Sequence, residues 1–150
     1  MASDWHTEEG KSSLNVGKKF EARLFRLMSA TDPGAQWISE DKERFFDGYD
    51  VIFRGRRVEI KTNSGMKDGL HCETCCVEIR TKVGRPIGWS EGKSDVVVFV
   101  DRSTSRAYIY KAAVLREWIK DRWTFVRYGA DCTLMPWSCP EAGFHREVQL

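Results

Sequence analysis

The stretch Asp50-Val-Ile-Phe-Arg-Gly-Arg-Arg-Val-Glu-Ile-Lys61 carries most of the information about fold and chemistry in this chain. Two short apolar and β-branched runs flank Gly55-Arg56, which predicts a β-hairpin with a type II′ turn at that pair. In this register Asp50 opposes Lys61. Because side chains alternate along a strand and opposed residues share a face, Asp50, Glu59 and Lys61 are predicted to point to the same side.

Two carboxylates on one face of a hairpin favour a bound cation, since like charges this close repel each other. A hard divalent ion such as Mg²⁺ takes a few protein oxygens and keeps water in its other positions. Asp50 and Glu59 supply two side-chain oxygens in this prediction, and the Ile60 carbonyl supplies a third. Lys61 would orient a water and stabilise negative charge on a phosphate under attack. The alternative is an exposed hairpin with a cross-strand ion pair.

The segments around the hairpin alternate between helical and extended patterns. An amphipathic helix is predicted over residues 14–28 and a second over residues 112–122, with a flexible tail over residues 1–12. The strands are predicted at residues 50–53, 58–62, 75–81, 96–100, 107–110, 125–127, 133–135 and 147–150. This order predicts one α/β (α+β) domain over residues 13–150, with a central mixed sheet flanked by helices.

Composition narrows the classes of protein. The 150 residues are 41% apolar and 31% charged, which is typical of a globular domain. No apolar run approaches the roughly 20 residues that cross a bilayer. Five cysteines without an export signal predict a reducing, cytoplasmic setting. The net charge is +2, but residues 54–93 carry nine basic and five acidic side chains. Such a segment suits a localised anionic partner, although on charge alone a plain solvated surface is the favoured explanation.

The spacing Asp50 … Glu59-Ile-Lys61 resembles the signature of the PD-(D/E)XK nuclease superfamily. The upstream helix strengthens the resemblance, because Glu21 matches the helical glutamate that many of these nucleases carry. The resemblance implies a restriction-endonuclease-like core made of a helix, a three-stranded meander, a helix and a further strand. Residues 75–80 would be the third meander strand, and residues 94–101 would be the strand after the crossover.

Within that superfamily, the layout is most similar to small phage and archaeal Holliday-junction resolvases and related phage endonucleases. The resemblance implies an Mg²⁺-dependent endodeoxyribonuclease, with Mn²⁺ as a substitute, that forms a homodimer and cuts DNA, including branched DNA, to leave 5′ phosphates. It adds Glu21 to the catalytic and metal-binding residues, and a phage-encoded chain would act in the host cytoplasm. Side chains expected to contact DNA phosphates are basic: Arg54, Arg56, Arg57, Arg80, Lys82 and Arg85.

Other kinds of protein fit parts of the sequence. His71, Cys72 and Cys75, with Cys132 or Cys139, would suit a zinc-stapled nucleic-acid-binding module without catalysis, although ordinary, partly buried thiols are the favoured explanation for the cysteines. Cys76 is a further candidate thiol for such a site.

The tryptophans Trp118, Trp123 and Trp137 would suit a protein-interaction surface, although core and dimer packing is the favoured explanation for them. Inside the nuclease class, a restriction or repair enzyme is the alternative to a resolvase. Residues 123–150 either close the sheet or form a dimer contact.

Overall fold

A computed structural model describes residues 8–38, 50–63, 66–67, 70–71, 74–80, 93–127 and 130–150. The helices are α1 (Glu8–Thr31) and α2 (Ala112–Ile119), with a 3-10 turn at Pro140–Ala142. The strands, in chain order, are β1 (Gln36–Trp37), β2 (Val51–Phe53), β3 (Arg56–Asn63), β4 (Met66–Lys67), β5 (Leu70–His71), β6 (Thr74–Arg80), β7 (Val96–Asp101), β8 (Arg106–Lys111), β9 (Phe125–Arg127), β10 (Ala130–Pro136) and β11 (Phe144–Gln149).

The centre of the fold is a mixed sheet of six strands in the order β1-β2-β3-β7-β8-β11. Strands β3 and β7 are parallel, and every other neighbouring pair is antiparallel. The apolar run of β7 is buried on both faces, as its unbroken valines predict. The predicted mixed α/β architecture with a central sheet between helices is therefore confirmed.

Helix α1 covers one face of this sheet. Leu24 and Met28 recur one turn apart and are buried against Val58 and Ile60 of β3. The helix ends at Thr31, whose hydroxyl donates a 3.0 Å hydrogen bond to the Met28 carbonyl. It begins at Glu8 rather than near residue 14, so residues 8–12 of the predicted tail are helical, and residues 1–7 lie outside the described part of the chain.

The other face is covered by α2 and by an antiparallel sheet with the order β6-β10-β9. Leu115 of α2 and Val77 of β6 are fully buried with Val97 and Phe99 of β7. Since Val97 pairs with Glu59, and Phe99 with Lys61, this is the face to which the candidate polar side chains point. The second layer therefore lies on the same side as the candidate site.

The hairpin register differs from the prediction by two residues. Val51 pairs with Val58, so Arg54 and Gly55 occupy the turn, with φ values of 50° and 76°. Two positive φ values define a type I′ turn rather than the predicted type II′ turn. The Asp32 carboxylate accepts the Arg54 backbone N–H at 2.8 Å, a tertiary contact that stabilises the left-handed arginine. Because the side-chain period is two, the shift leaves the predicted face unchanged.

The predicted third meander strand is wrong. β6 lies where residues 75–80 were expected to be extended, but it pairs with β10 in the second sheet. Instead β1, at Gln36–Trp37, is the neighbour of β2 and completes a short antiparallel meander with β3. The expected strand at residues 94–101 forms β7 beside β3.

The C-terminal segment extends both sheets. β11 pairs with β8 at the edge of the central sheet, whereas β9 and β10 belong to the second one. Of the two roles predicted for residues 123–150, closing the sheet is thus confirmed. No helix in the described ranges is both long and apolar enough to cross a membrane.

Candidate functional site

The hairpin brings two carboxylates to the same part of β3. Asp50 directly precedes β2 and donates its backbone N–H to the Val58 carbonyl at 2.7 Å, and the charges of both Asp50 and Glu59 act on Lys61. Asp50 is 4% exposed and Glu59 is 8% exposed. The pair is therefore buried, and the alternative of an exposed hairpin is wrong.

The Asp50 carboxylate also contacts the backbone of β3. Its Oδ2 accepts the Ile60 N–H at 2.7 Å. The amide and carbonyl of one strand residue point toward the same edge, so the Ile60 carbonyl is directed to the side of β3 where Asp50 lies. Two carboxylates and one main-chain carbonyl are thus present at one edge of β3.

Lys61 lies on the same face as Glu59, two residues further along β3. Its Nζ is 3.3 Å from Glu59 Oε1, and its side chain is 42% exposed. Desolvation acts to lower the pKa of Lys61, but the carboxylates of Glu59 and Asp50, together with Glu78, outweigh it and hold that pKa above its ordinary value. The amine is therefore a charged hydrogen-bond donor at neutral pH.

Arg57 continues the polar row on this face of β3. The Asp95 carboxylate accepts its backbone N–H at 2.8 Å and its guanidinium at 3.4 Å, and both side chains are partly exposed. The hydrogen bond from the Arg57 N–H, followed by those from the guanidinium, lowers the pKa of Asp95. Asp95 therefore fixes the direction of Arg57 two residues from Glu59.

Glu21 is half-buried on α1. The buried residues Leu24 and Met28 of the same helix pack on the Val58 and Ile60 side chains, which alternate with Glu59 and Lys61. The structure thus brings together Asp50, Glu59 and Lys61, and it leaves Glu21 on the helix that covers the opposite face. A role for Glu21 stays a prediction of the resemblance.

Apart from Arg57, the predicted DNA-contacting residues fall into two groups. Arg54 and Arg56 are exposed at the turn, and the Arg54 guanidinium lies 5.2 Å from the centre of the Phe53 ring. Arg80 ends β6, and Lys82 and Arg85 lie outside the described residues. The turn therefore supplies exposed positive charge beside the carboxylate pair.

The cysteines do not share one face. Cys75 lies opposite Met135 in the buried core, whereas Cys132 lies opposite Glu78, which alternates to the other face of β6. A single ion shared by Cys75 and Cys132 is therefore incompatible with the register. Cys75, Cys132 and Cys139 are buried, Cys76 is partly buried, and Cys72 lies outside the described residues.

The donor set suits a hard divalent cation. In the part of the chain that the structure describes, no three His, Cys, Asp or Glu side chains cluster as metal ligands. Mg²⁺ does not require three, because it is commonly held by one or two carboxylates and keeps several waters. Asp50, Glu59 and the Ile60 carbonyl fit that requirement.

Sequence reasoning missed the residues that support the site from a distance. Asp95 was assigned only to the start of a strand, although it orients Arg57. Glu78 lies in a strand that the alternating sequence pattern predicts. No sequence signal indicated that this strand, β6, lies over the face that carries Lys61. An acidic residue directly before an apolar strand, as in Asp95-Val-Val-Val, is the one available clue.

Comparison of the chain with protein-family models, with curated proteins and with solved structures finds no match in any of the three. The function of the chain must therefore be inferred from the site itself.

Proposed function

We propose that this chain is a divalent-metal-dependent endonuclease that hydrolyses DNA phosphodiester bonds. One observation carries the proposal: two buried carboxylates, Asp50 and Glu59, both act on the ammonium group of Lys61, which lies 3.3 Å from Glu59. Two buried like charges are costly unless opposite charge is close. Lys61 and a divalent cation together would supply that charge.

The residues that would hold the cation are Asp50 and Glu59, with the Ile60 carbonyl as a neutral ligand. Bound there, Mg²⁺, or Mn²⁺ in its place, would act as a Lewis acid on a phosphate oxygen. The Asp50 carboxylate is anchored by the Ile60 N–H, so its second oxygen is held in a fixed direction. This preorganisation supports a metal site more than a surface ion pair, whose side chains are free to move.

Lys61 would donate hydrogen bonds to the attacking water and to the phosphate oxygens as their charge develops. Because its pKa is raised, we assign it electrostatic stabilisation and water positioning rather than proton abstraction. Arg57, oriented by Asp95 on the same row, would contact a neighbouring phosphate. The exposed Arg54 and Arg56 would add contacts that are independent of sequence.

The fold supports the finer assignment to a restriction-endonuclease-like core in one respect. A helix precedes a meander that carries Asp50 and Glu59, and a parallel strand, β7, lies beside β3 after a crossover. We further propose selectivity for branched DNA and action as a homodimer, by the resemblance to small resolvases. A restriction or repair nuclease with the same site is the second candidate, and the choice of substrate distinguishes the two.

The test compares cleavage of supercoiled plasmid, linear duplex and four-way junction DNA with Mg²⁺. We expect the junction to be cut fastest, and Glu59→Gln and Lys61→Met to slow cutting by about 100-fold or more. Glu117 and Lys120 form an exposed ion pair at 2.7 Å on the surface, so Glu117→Gln and Lys120→Met are matched controls that should cut normally.

Undiminished cutting by both site variants would contradict the assignment, as would the absence of metal-dependent cutting on every substrate. Equal rates on linear duplex and junction would favour the restriction or repair candidate.

A further inference from the structure

The outer face of the second sheet carries an aromatic pair that the proposed chemistry does not use. Trp123 is 75% exposed, and its ring stacks on Phe125 with centroids 5.6 Å apart and planes 23° from parallel. Its backbone carbonyl accepts the Thr133 hydroxyl at 2.9 Å, which fixes the loop to β10. A tryptophan that is held in place and left in water is typical of a binding surface.

The register connects this pair to the candidate site. Phe125 of β9 pairs with Cys132 of β10, which in turn pairs with Glu78 of β6. Paired residues share a face, so the three lie in one line across the sheet, roughly 10 Å from end to end. At the Glu78 end, the preceding residue Val77 is buried with Val97 and Phe99, the β7 partners of Glu59 and Lys61.

Charge and shape indicate what this face binds. The residues from Asp121 to Arg127 contain two basic side chains, Arg122 and Arg127, and one acidic side chain, so the stretch around Trp123 is net positive. Leu134, which is 51% exposed, lies on the same face as Cys132 and extends the apolar surface along β10. Aromatic rings beside basic side chains are the usual composition of surfaces that bind single-stranded nucleic acid.

We propose that Trp123, supported by Phe125, is a stacking platform for an unpaired nucleobase of the DNA strand that leaves the candidate active site. This inference rests on the proposed function, because only a nuclease site at Asp50 and Glu59 would send a DNA strand toward Trp123. It specifies the substrate class as DNA with a single-stranded segment. One face of the indole ring is already covered by Phe125, so the other is available to a base.

The test measures binding without cleavage, by fluorescence anisotropy in EDTA. The probes are a labelled oligothymidylate of about 12 nucleotides and a duplex of the same length. Trp123→Ala should weaken binding of the oligothymidylate about tenfold and of the duplex less than about twofold, whereas Trp123→Phe should keep most of the affinity. Leu27→Ala, which alters an exposed apolar residue on α1, is the control and should bind both probes normally.

A second measurement uses the unaltered protein, so it does not depend on whether a variant folds. An abasic oligonucleotide of the same length carries the same charge without bases, and we expect it to bind about tenfold more weakly than the oligothymidylate. Equal binding of the two probes would overturn the proposal, as would normal oligothymidylate binding by Trp123→Ala. The proposal would also be overturned if Trp123→Ala weakened duplex binding as much as oligothymidylate binding. The same holds if Trp123→Phe bound the oligothymidylate as weakly as Trp123→Ala.

The result is separable from the nuclease assay. If the protein binds bases through Trp123 but cuts no DNA, only the proposed function is contradicted. If the protein cuts DNA but Trp123→Ala binds the oligothymidylate normally, only this inference is contradicted.

Discussion

Asp50 has two roles at the residue scale. Its carboxylate accepts the Ile60 N–H at 2.7 Å, and the charge of the same group acts on Lys61 together with that of Glu59. The hydrogen bond stabilises the folded chain, whereas the repulsion between the carboxylates destabilises it. Such a conflict between stability and charge placement is common at functional sites.

Removing the acceptor at this position should destabilise the protein. Asp50→Ala leaves the buried Ile60 N–H without its present acceptor, and we expect a loss of about 1–3 kcal/mol relative to Asp50→Asn, which keeps an oxygen there. Urea unfolding of both variants measures the difference. Equal free energies of unfolding for the two variants would show that this hydrogen bond contributes little.

That the candidate residues lie close together could be predicted at this scale, and the reason is periodicity. Glu59 and Lys61 share a face of β3 in any register, and a shift of two residues still leaves Asp50 next to Ile60. The turn type could not be predicted, since the contact of Asp32 with Arg54 joins residues 22 positions apart.

At the scale of elements, two glycines with positive φ allow a matched comparison. Gly55 has a φ of 76°, and no neighbouring atom lies within 4 Å of the place that a methyl group would take, so Gly55→Ala should cost only the left-handed strain of about 1–2 kcal/mol. At Gly143, with a φ of 97°, a Cβ would lie 2.8 Å from Val114 Cβ, and overpacking should add about 1–3 kcal/mol. Chemical denaturation compares the two variants, and a Gly143→Ala protein as stable as Gly55→Ala would contradict this.

The link between the hairpin and β7 should be sensitive to acid. Asp95 has a lowered pKa in the folded state because it accepts hydrogen bonds from Arg57. Its contribution to stability is therefore present above its unfolded pKa, near 3.8, and is lost as the pH falls through the folded value.

Stability measured from pH 6 down to about pH 2 should consequently fall less steeply in Asp95→Asn than in the unaltered protein. Asp121→Asn, which changes an exposed acid after α2, serves as the control and should follow the unaltered protein. Parallel curves for Asp95→Asn and the unaltered protein would show that Asp95 is not linked to folding in this range.

The existence of strands could be predicted, but some of their partners could not. The alternating pattern of β6 identifies its buried face correctly. The same pattern would be seen if β6 were a strand of the central sheet and not of the sheet that packs on it. Pairing of β6 with β10 depends on a contact between residues about 55 positions apart, such as Val77 with Thr133. Nothing local in the chain encodes such a pairing.

At the scale of the whole molecule, Tyr110 joins the central sheet to the C-terminal segment. Its buried hydroxyl donates to the Trp137 carbonyl at 2.6 Å and accepts the Cys139 N–H at 3.0 Å. Burial raises the pKa of Tyr110 well above its ordinary value, so the hydroxyl stays protonated. Because β10 precedes this segment and β11 follows it, one hydroxyl holds the connection between the two sheets.

Loss of that hydroxyl should destabilise the entire domain. Tyr110→Phe would leave a buried carbonyl and a buried amide without their present partner, and we expect a loss of about 1–3 kcal/mol or more. Tyr108→Phe, a change at a neighbouring ring that packs on Trp137, is the control with a smaller expected loss. Thermal unfolding reports both, and an unchanged melting temperature for Tyr110→Phe would contradict this role.

The central claim is that Asp50 and Glu59 form a divalent metal site, and calorimetric titration with Mn²⁺ tests it most directly. We predict about one ion per chain for the unaltered protein and for Glu117→Gln, with binding lost in Asp50→Asn and in Glu59→Gln. Mn²⁺ binding by Glu59→Gln as tight as that of the unaltered protein would contradict the account, and so would the absence of any binding.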